Sequence, residues 1–387
     1  MKVSTPADRV RVAYFVPPSA HFAGVERVVH DIATGLAQGH GDVLDVHVVF
    51  ASRYDERVLD ATAYTKHVLG VDRLRLLLPA LRACAAAQRF DVLVCPQVEP
   101  SVVAWLATRG LRLPVFLPHL HGNPRLEESD GSRRTRLAFA LFRHLVVRRS
   151  TAVLAVSPSL AAYAVAALAR GVPVHYVENP VRALPGEAGA PVPGRLRLVN
   201  VARLSRQKGQ DLLLEALAAA RDRLPAVTLT LVGSGPEEEA LRRSSTRLGL
   251  DDVVVFAGYD TDPARHLREA DLFVLPSRWE GFGVALVEAL SVGLPVLAAD
   301  CEFGPGDVVS DPRTGELVPP EDVPALAEAL VRAAARPWSA QDAAHRREAA
   351  RAWSQEAATA AHYRLLQRVC ATRLDRSDRL AVLVSSP

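Results

Sequence analysis

Short runs of consecutive apolar residues alternate with longer amphipathic stretches along the whole chain. Residues 10–16 form the first such run. A polar loop leads from it to Gly24, and the pattern then predicts a helix of about a dozen residues from Val25. Further strands are predicted at 43–50, 92–95, 115–118 and 152–156, with helical stretches between them. Strands that are apolar at nearly every position, separated by helices, belong to parallel sheets covered on both faces. Residues 183–195 (ALPGEAGAPVPGR) interrupt the pattern with prolines and glycines and are predicted to be a linker. A second series follows at 196–201, 227–232, 253–256, 272–275 and 296–298, and from Pro324 to about Arg373 the chain is predicted to be helical.

The expected fold class is therefore α/β, with two Rossmann-like, doubly wound parallel sheets in series. Residues 1–182 form the first domain, 183–195 the linker and 196–355 the second domain. Sheets of this kind bind ligands beyond the carboxyl ends of their strands, so the loops after strands are the places to look for chemistry, around a cleft between the two domains.

Composition narrows this picture only slightly. The 46 basic and 43 acidic residues leave a net charge of +3, too small to argue for a nucleic-acid partner. The four cysteines, Cys84, Cys95, Cys301 and Cys370, have neither disulfide-framework nor zinc-site spacing and fit a reducing, cytoplasmic compartment. No apolar run is long enough to cross a bilayer, so the chain is expected to be soluble or peripheral to the inner face of a membrane. Within the basic count, only Lys2, Lys66 and Lys208 are lysine and the rest are arginine. That bias reads as the codon usage of a GC-rich genome, and it singles out each lysine that remains.

Three loops carry candidate chemistry. In Asn200-Val201-Ala202-Arg203-Leu204-Ser205-Arg206-Gln207-Lys208-Gly209, an arginine and a lysine five apart, on a strand-to-helix loop, can converge on one anion. The amides of the following helix would assist; a solvated basic loop is the alternative. The second loop, Gly233-Ser234-Gly235, could cradle a phosphate, but the glutamates directly behind it would repel one, and close backbone passage fits it better. The third, Pro276-Ser277-Arg278-Trp279-Glu280-Gly281-Phe282-Gly283-Val284, carries one carboxylate among glycines, and a second, Glu288, lies in an otherwise apolar stretch where it needs a partner. Eight helical residues rise about 12 Å, so in a continuous helix Glu280 and Glu288 would touch opposite ends of one extended ligand.

The motifs VARLSRQKG, LVGSGPE, FAGYDTD, ADLFVLPSRWEGFGVALVEALSVGLPVLAADC and GELVPPED resemble, in order and spacing, the donor domain of the retaining family-4 glycosyltransferases of GT-B fold. The resemblance is strong over residues 196–325. In the N-terminal half it rests on HFAGVERVVHDIATGL and LPHLHGNP alone. It implies that Arg203 and Lys208 bind the diphosphate of a nucleotide-sugar donor and stabilise its departure. Glu280 would lie over the sugar and Glu288 would hold the ribose hydroxyls. The backbone at Gly281, Phe282, Gly283 and Val284 would receive phosphate and sugar hydroxyls, and Tyr259 would join the donor-binding set. Gly24 would approach the diphosphate from the first domain, although Ala23 stands where many relatives have a second glycine.

A histidine near the transferred sugar is expected at His119 or His121. Strand alternation would place the two on opposite faces, and His121, which precedes Gly122, is preferred. Ser157 and Asn179 also match family positions. No cofactor and no metal are expected, and no protein base is assigned, since in the usual proposal the leaving phosphate accepts the acceptor's proton. Residues 301–307 (CEFGPGD) are similar to a loop of enzymes that build lipid-linked or surface polysaccharides, which points to a UDP-linked hexose or N-acetylhexosamine. The helices at about 356–380 would cross back to the first domain. The partners implied are the nucleotide-sugar and a saccharide acceptor, with no nucleic acid. The arginine-rich stretch 133–149 offers peripheral membrane contact for a lipid-linked acceptor, or is simply a helix with one core face. A GT-B epimerase or hydrolase and a non-catalytic nucleotide-sugar-binding subunit remain alternatives.

Overall fold

A computed structural model describes residues 9–373 except 20, 21, 23, 56, 72 and 261. Ala23, and residues 374–380 of the expected terminal helices, therefore lie outside the described residues. The described part divides into two compact units. One runs up to Pro180 and takes in the helix Gln355–Arg373; the other is Val181–Ser354.

The first unit is built on seven parallel strands: β1 (Val10–Val16), β2 (Leu44–Phe50), β3 (Thr65–Val68), β4 (Val92–Pro96), β5 (Val115–Leu120), β6 (Val153–Ala155) and β7 (Val174–Tyr176). Their order in the sheet is β3-β2-β1-β4-β5-β6-β7. The direction of winding reverses between β1 and β4, whose register pairs Val12 with Val92 and Tyr14 with Val94. Every residue of β4 and β5 is buried, as the unbroken apolar runs require. The helix Val25–His40 packs its apolar face, including Val28, Val29, Ile32 and Leu36, onto this sheet. The helix Gln355–Arg373 contributes Tyr363, Leu366, Val369 and Cys370 to the same core, which is why the C-terminal residues belong to this unit.

The second unit has six parallel strands: β8 (Arg195–Val201), β9 (Ala226–Val232), β10 (Val254–Gly258), β11 (Leu272–Leu275), β12 (Val296–Ala299) and β13 (Gly315–Val318). Their order is β10-β9-β8-β11-β12-β13, so winding reverses between β8 and β11. Residues 183–195, expected as a linker between the domains, lie against this unit and are part of it. The Ala188 N–H donates to Val292 O at 2.7 Å, and Arg268 Nη1 donates to Pro185 O at 2.5 Å. Prolines and glycines exclude regular structure there, but they leave backbone groups that other elements satisfy. The chain enters the unit at Val181, whose N–H bonds Trp353 O at 2.8 Å beside the point where the chain leaves it.

Candidate functional site

Because β8 and β11 are neighbours, the loops that follow them lie side by side although 72 residues separate Lys208 from Glu280. Buried polar groups fasten the two strand ends. Asn200, fully buried at the end of β8, donates Nδ2 to Val274 O at 2.8 Å and accepts from Gln210 Nε2 at 3.2 Å. Gly209 ends a 3-10 turn (Arg206–Lys208) with φ 67° and opens the helix Gln210–Ala220. A Cβ at this glycine would stand 2.0 Å from Pro276 O, so only glycine lets the two loops approach this closely. Two more bonds lace them together, Arg278 N–H to Gln207 O at 2.8 Å and Gln207 Nε2 to Trp279 O at 3.0 Å.

At the centre, Lys208 Nζ donates to Glu280 Oε1 at 2.6 Å, and Ser277 Oγ donates to the same oxygen at 2.7 Å. Glu280 is only 4% exposed and Ser277 is fully buried. Both bonds fall on Oε1, which leaves Oε2 to accept from a ligand. Burial pushes the neighbouring Cys301 thiol up to about 12, with Glu280 adding to the rise and Lys208 opposing it, so a neutral thiol flanks the pair. Arg278 holds Asp211 in a two-pronged bond (2.8 and 2.6 Å) and reaches Glu321 at 2.8 Å. Burial alone would raise the Asp211 carboxyl, but the Arg278 bonds outweigh it and hold the group below its ordinary range. Arg278 is thus spent on scaffolding. Arg203, by contrast, is exposed, and its guanidinium has no carboxylate partner among the described residues.

Glu280 precedes the helix rather than lying in it. Gly283 turns the chain at φ 94°, and the helix Val284–Ser291 begins only after Gly281, Phe282 and Gly283, all buried. The loop-then-helix arrangement expected for the two glutamates is thus present, with a left-handed glycine dividing the segment, so the rise of about 12 Å of a continuous helix does not apply. Glu288 sits half-buried in the second turn and is already engaged within the chain, so its apolar surroundings do not leave it without a partner. Tyr259 follows the edge strand β10, two strands away from β8, and is 55% exposed. The Gly233-Ser234-Gly235 loop serves close passage, since Cβ atoms at its glycines would meet Ala202 O at 2.0 Å and Leu204 O at 2.1 Å.

Gly24 and both histidines belong to the first unit. Gly24, exposed and at φ 56°, starts the helix Val25–His40. The expectation that the two histidines face opposite ways is corrected: residues two apart on a strand share a face. The His119 and His121 ring centroids are 4.1 Å apart, with His362 5.7 Å from His119. All three Nε2 atoms are buried without a hydrogen-bond partner. Burial, reinforced by neighbouring imidazoles, lowers His119 well below its usual value and His121 to about 3, and burial lowers His362 to about 4. Ser157 caps the helix Pro158–Tyr163 by accepting from Leu160 N–H, and Asn179 is buried. The 133–149 stretch buries Phe139, Phe142, Val146 and Val147, while Leu137 (60%) and Leu145 (41%) stand exposed among arginines. Among the described residues, no helix is long and apolar enough to cross a membrane.

Sequence reasoning assigned no role to Ser277, Gln207, Asn200, Asp211 or Arg278. Asn200 alone carried a local signal, as an amide within the apolar run LRLVNV.

Comparison with known proteins agrees with this geometry. Residues 22–183 match the family model described as Glycosyltransferase Family 4, and residues 188–353 match Glycosyl transferases group 1. The chain is 29% identical to the lipopolysaccharide core biosynthesis mannosyltransferase LpsB of Rhizobium meliloti, over 74% of this chain and 87% of that one. It is 38% identical to a GDP-mannose-dependent alpha-(1-6)-phosphatidylinositol monomannoside mannosyltransferase of Mycolicibacterium smegmatis. That match covers 34% of this chain and only 37% of the relative's length. The structure of Anabaena HepE in complex with UDP and glucose superposes with a TM-score of 0.76 at 22% identity, over 93% of this chain and all of that one, and so shares its fold. With two glycosyltransferase models spanning nearly the whole of residues 22–353 on paired parallel sheets, the chain belongs to the GT-B glycosyltransferases of the family-4 type.

Proposed function

We propose that this glycosyltransferase moves a hexose or N-acetylhexosamine from a UDP-sugar to a saccharide acceptor, with retention at the anomeric carbon and without a metal, in the synthesis of a surface polysaccharide or glycoconjugate. The observation that carries the reading is the Lys208–Glu280 pair, held at the ends of adjacent strands beside the exposed Arg203. Departure of a nucleoside diphosphate builds negative charge on the β-phosphate oxygen. Fixed cations aimed at that oxygen stabilise it more in the transition state than in the ground state. Lys208 would then be shared between the diphosphate and Glu280. Glu280 Oε2 would accept from a sugar hydroxyl, while Ser277 keeps the carboxylate in place. Amides at the start of the helix Val284–Ser291 would assist in holding the same anion. Glu288 would hold the ribose and Tyr259 would border the nucleotide.

The neutral Cys301 thiol, with a pKa of about 12, is no nucleophile, and no side chain is assigned as base. The leaving phosphate takes the acceptor's proton. The UDP preference is supported by the 301–307 loop and by the HepE complex; the GDP-mannose dependence of the Mycolicibacterium relative names the competitor to test. The exposed Leu137 and Leu145 among arginines support an acceptor carried on a lipid.

The test is release of nucleoside diphosphate from UDP-glucose, UDP-N-acetylglucosamine and GDP-mannose against a panel of glycan acceptors. Acceptor-dependent release from a UDP-sugar is expected, with Glu280→Ala slower by about 100-fold or more. Product formed equally without acceptor overturns transfer in favour of an epimerase or hydrolase. Binding with no transfer across the panel favours a non-catalytic subunit.

A further inference from the structure

Arg278, in the loop after β11, donates four side-chain hydrogen bonds to residues from two other strand ends. Nε donates to Glu321, after β13, at 2.8 Å. Nη1 donates to Arg206 O and to Asp211 Oδ1, both at 2.8 Å, and Nη2 donates to Asp211 Oδ2 at 2.6 Å. The Arg278 N–H adds a bond to Gln207 O at 2.8 Å. A planar guanidinium fork can make such a set, whereas a lysine ammonium cannot. Glu321 itself stands at φ 60°, a left-handed conformation that favours glycine, and there its carboxylate reaches the guanidinium.

All but the Glu321 bond fall on the segment that carries Lys208. In the 3-10 turn Arg206–Lys208, the Lys208 N–H bonds Ser205 O at 2.9 Å, and Arg278 takes the next two carbonyls, those of Arg206 and Gln207. Gly209 follows at φ 67°, and Asp211 lies in the first turn of the helix after it. Glycine is the residue here whose backbone turns most freely. It cannot be exchanged for a stiffer one, since a Cβ would stand 2.0 Å from Pro276 O. Arg278 grips the chain on both sides of this glycine, at Arg206 and Gln207 before it and at Asp211 after it. The hinge that close approach of the loops demands is closed by a clamp from outside.

The charge of Arg278 is met by two carboxylates, and its side chain is only 12% exposed, so little of that charge is left for a ligand. Asp211 and Glu321 both reach solvent, where ion pairing adds little to stability. The arrangement is therefore best explained by what it does to the geometry of the turn, and Lys208 is the residue of that turn that reaches Glu280.

We propose that Arg278 is the positioning residue of Lys208: by clamping the chain across Gly209 it holds the lysine where it meets the donor's diphosphate, without touching the substrate itself. The proposal rests on the glycosyltransferase reading for that ligand, while the clamp is a property of the free chain. A displacement of about 1 Å in a catalytic group costs rate heavily, which is why such a clamp matters.

The test has one arm in the free chain and one with UDP, both on the full chain. Lys2, Lys66 and Lys208 are the only lysines, so 13C-lysine labelling gives three ε-methylene signals, and the one missing in Lys208→Ala belongs to Lys208. In Arg278→Met that signal should move toward the position of a solvated lysine while the others stay in place. Asp211→Asn, at a partly exposed site, should move it in the same direction. Calorimetry should show UDP binding weakened about fivefold or more by Arg278→Met. Arg278→Lys should be as weak, because it keeps the charge and loses the fork. In a Lys208→Ala background, Arg278→Met should cost nothing further; a merely structural role would show no such dependence on Lys208. The proposal is overturned if the Lys208 signal is unmoved in both variants, if Arg278→Lys binds UDP as wild type does, or if Arg278→Met weakens binding as much without Lys208 as with it. A wild type that binds no nucleoside diphosphate, with the Lys208 signal still displaced by Arg278→Met, would refute the donor reading and leave the clamp standing.

Discussion

At the scale of single residues, the site turns on one oxygen. Glu280 Oε1 takes bonds from both Lys208 and Ser277, yet the two donors have different tasks. Removing the Ser277 hydroxyl costs one hydrogen bond to a charged group, about 1.5–3 kcal/mol, and loosens the carboxylate without touching the phosphate. Ser277→Ala is therefore expected to lower kcat while leaving the nucleotide Kd unchanged, which steady-state kinetics beside calorimetry would check. The histidines make a second, independent expectation. His119, His121 and His362 are all lowered, so the unfolded chain binds protons that the fold refuses. Their contribution is complete above the ordinary value of 6.5 and is lost as pH falls below it, at up to about 1.4 kcal/mol per pH unit for each residue. Glu127, raised to about 7, acts in the opposite sense between there and its ordinary 4.5 and offsets part of the loss. Urea midpoints should drop between pH 7.5 and 5.5, and His362→Gln should flatten the slope; an unchanged slope in the variant would contradict this reading.

At the scale of elements, the strands most legible in the sequence were those buried on both faces. Every predicted strand is present, β1 and β11 with the same ends, because a doubly covered strand is apolar at each position. The three that were not foreseen are β3, β7 and β13, all at sheet edges. β3 is TKHV and largely exposed, so it lacks the apolar run that marked the others. Close approach of two elements was likewise invisible in the spacing of residues. Gly209→Ala places a Cβ against Pro276 O at φ 67° and should part the loops after β8 and β11. A cost of at least about 1–2 kcal/mol is expected from the left-handed backbone alone, together with loss of nucleotide binding. Thermal denaturation and calorimetry on that variant would report both. The helix Arg133–Leu141 carries two faces, with Phe139 buried and Leu137 exposed beside Arg133, Arg134 and Arg136. Co-sedimentation with anionic vesicles is expected for the wild type and should fall in a Leu137→Ser/Leu145→Ser variant; equal sedimentation would leave this face a solvated one.

At the scale of the whole molecule, the sequence disclosed two α/β units and the loops that carry the chemistry, but not where the units begin. Prolines and glycines at 183–195 suggested a linker, yet the Ala188 N–H bonded to Val292 O and the Arg268 side chain donating to Pro185 O tie that segment to the second unit. The pairing of Lys208 with Glu280 was beyond any local reading, since it depends on β8 and β11 becoming neighbours. What did point to Lys208 was compositional, one of three lysines among 46 basic residues. The most direct measurement is calorimetric titration of UDP into the wild-type chain and into Lys208→Ala, with a melting curve for each. Wild type is expected to bind, and the variant to bind at least about tenfold more weakly, the worth of a lost charge-assisted contact, while still melting cooperatively. A folded Lys208→Ala that binds UDP, GDP and ADP as the wild type does would contradict the assignment of this site.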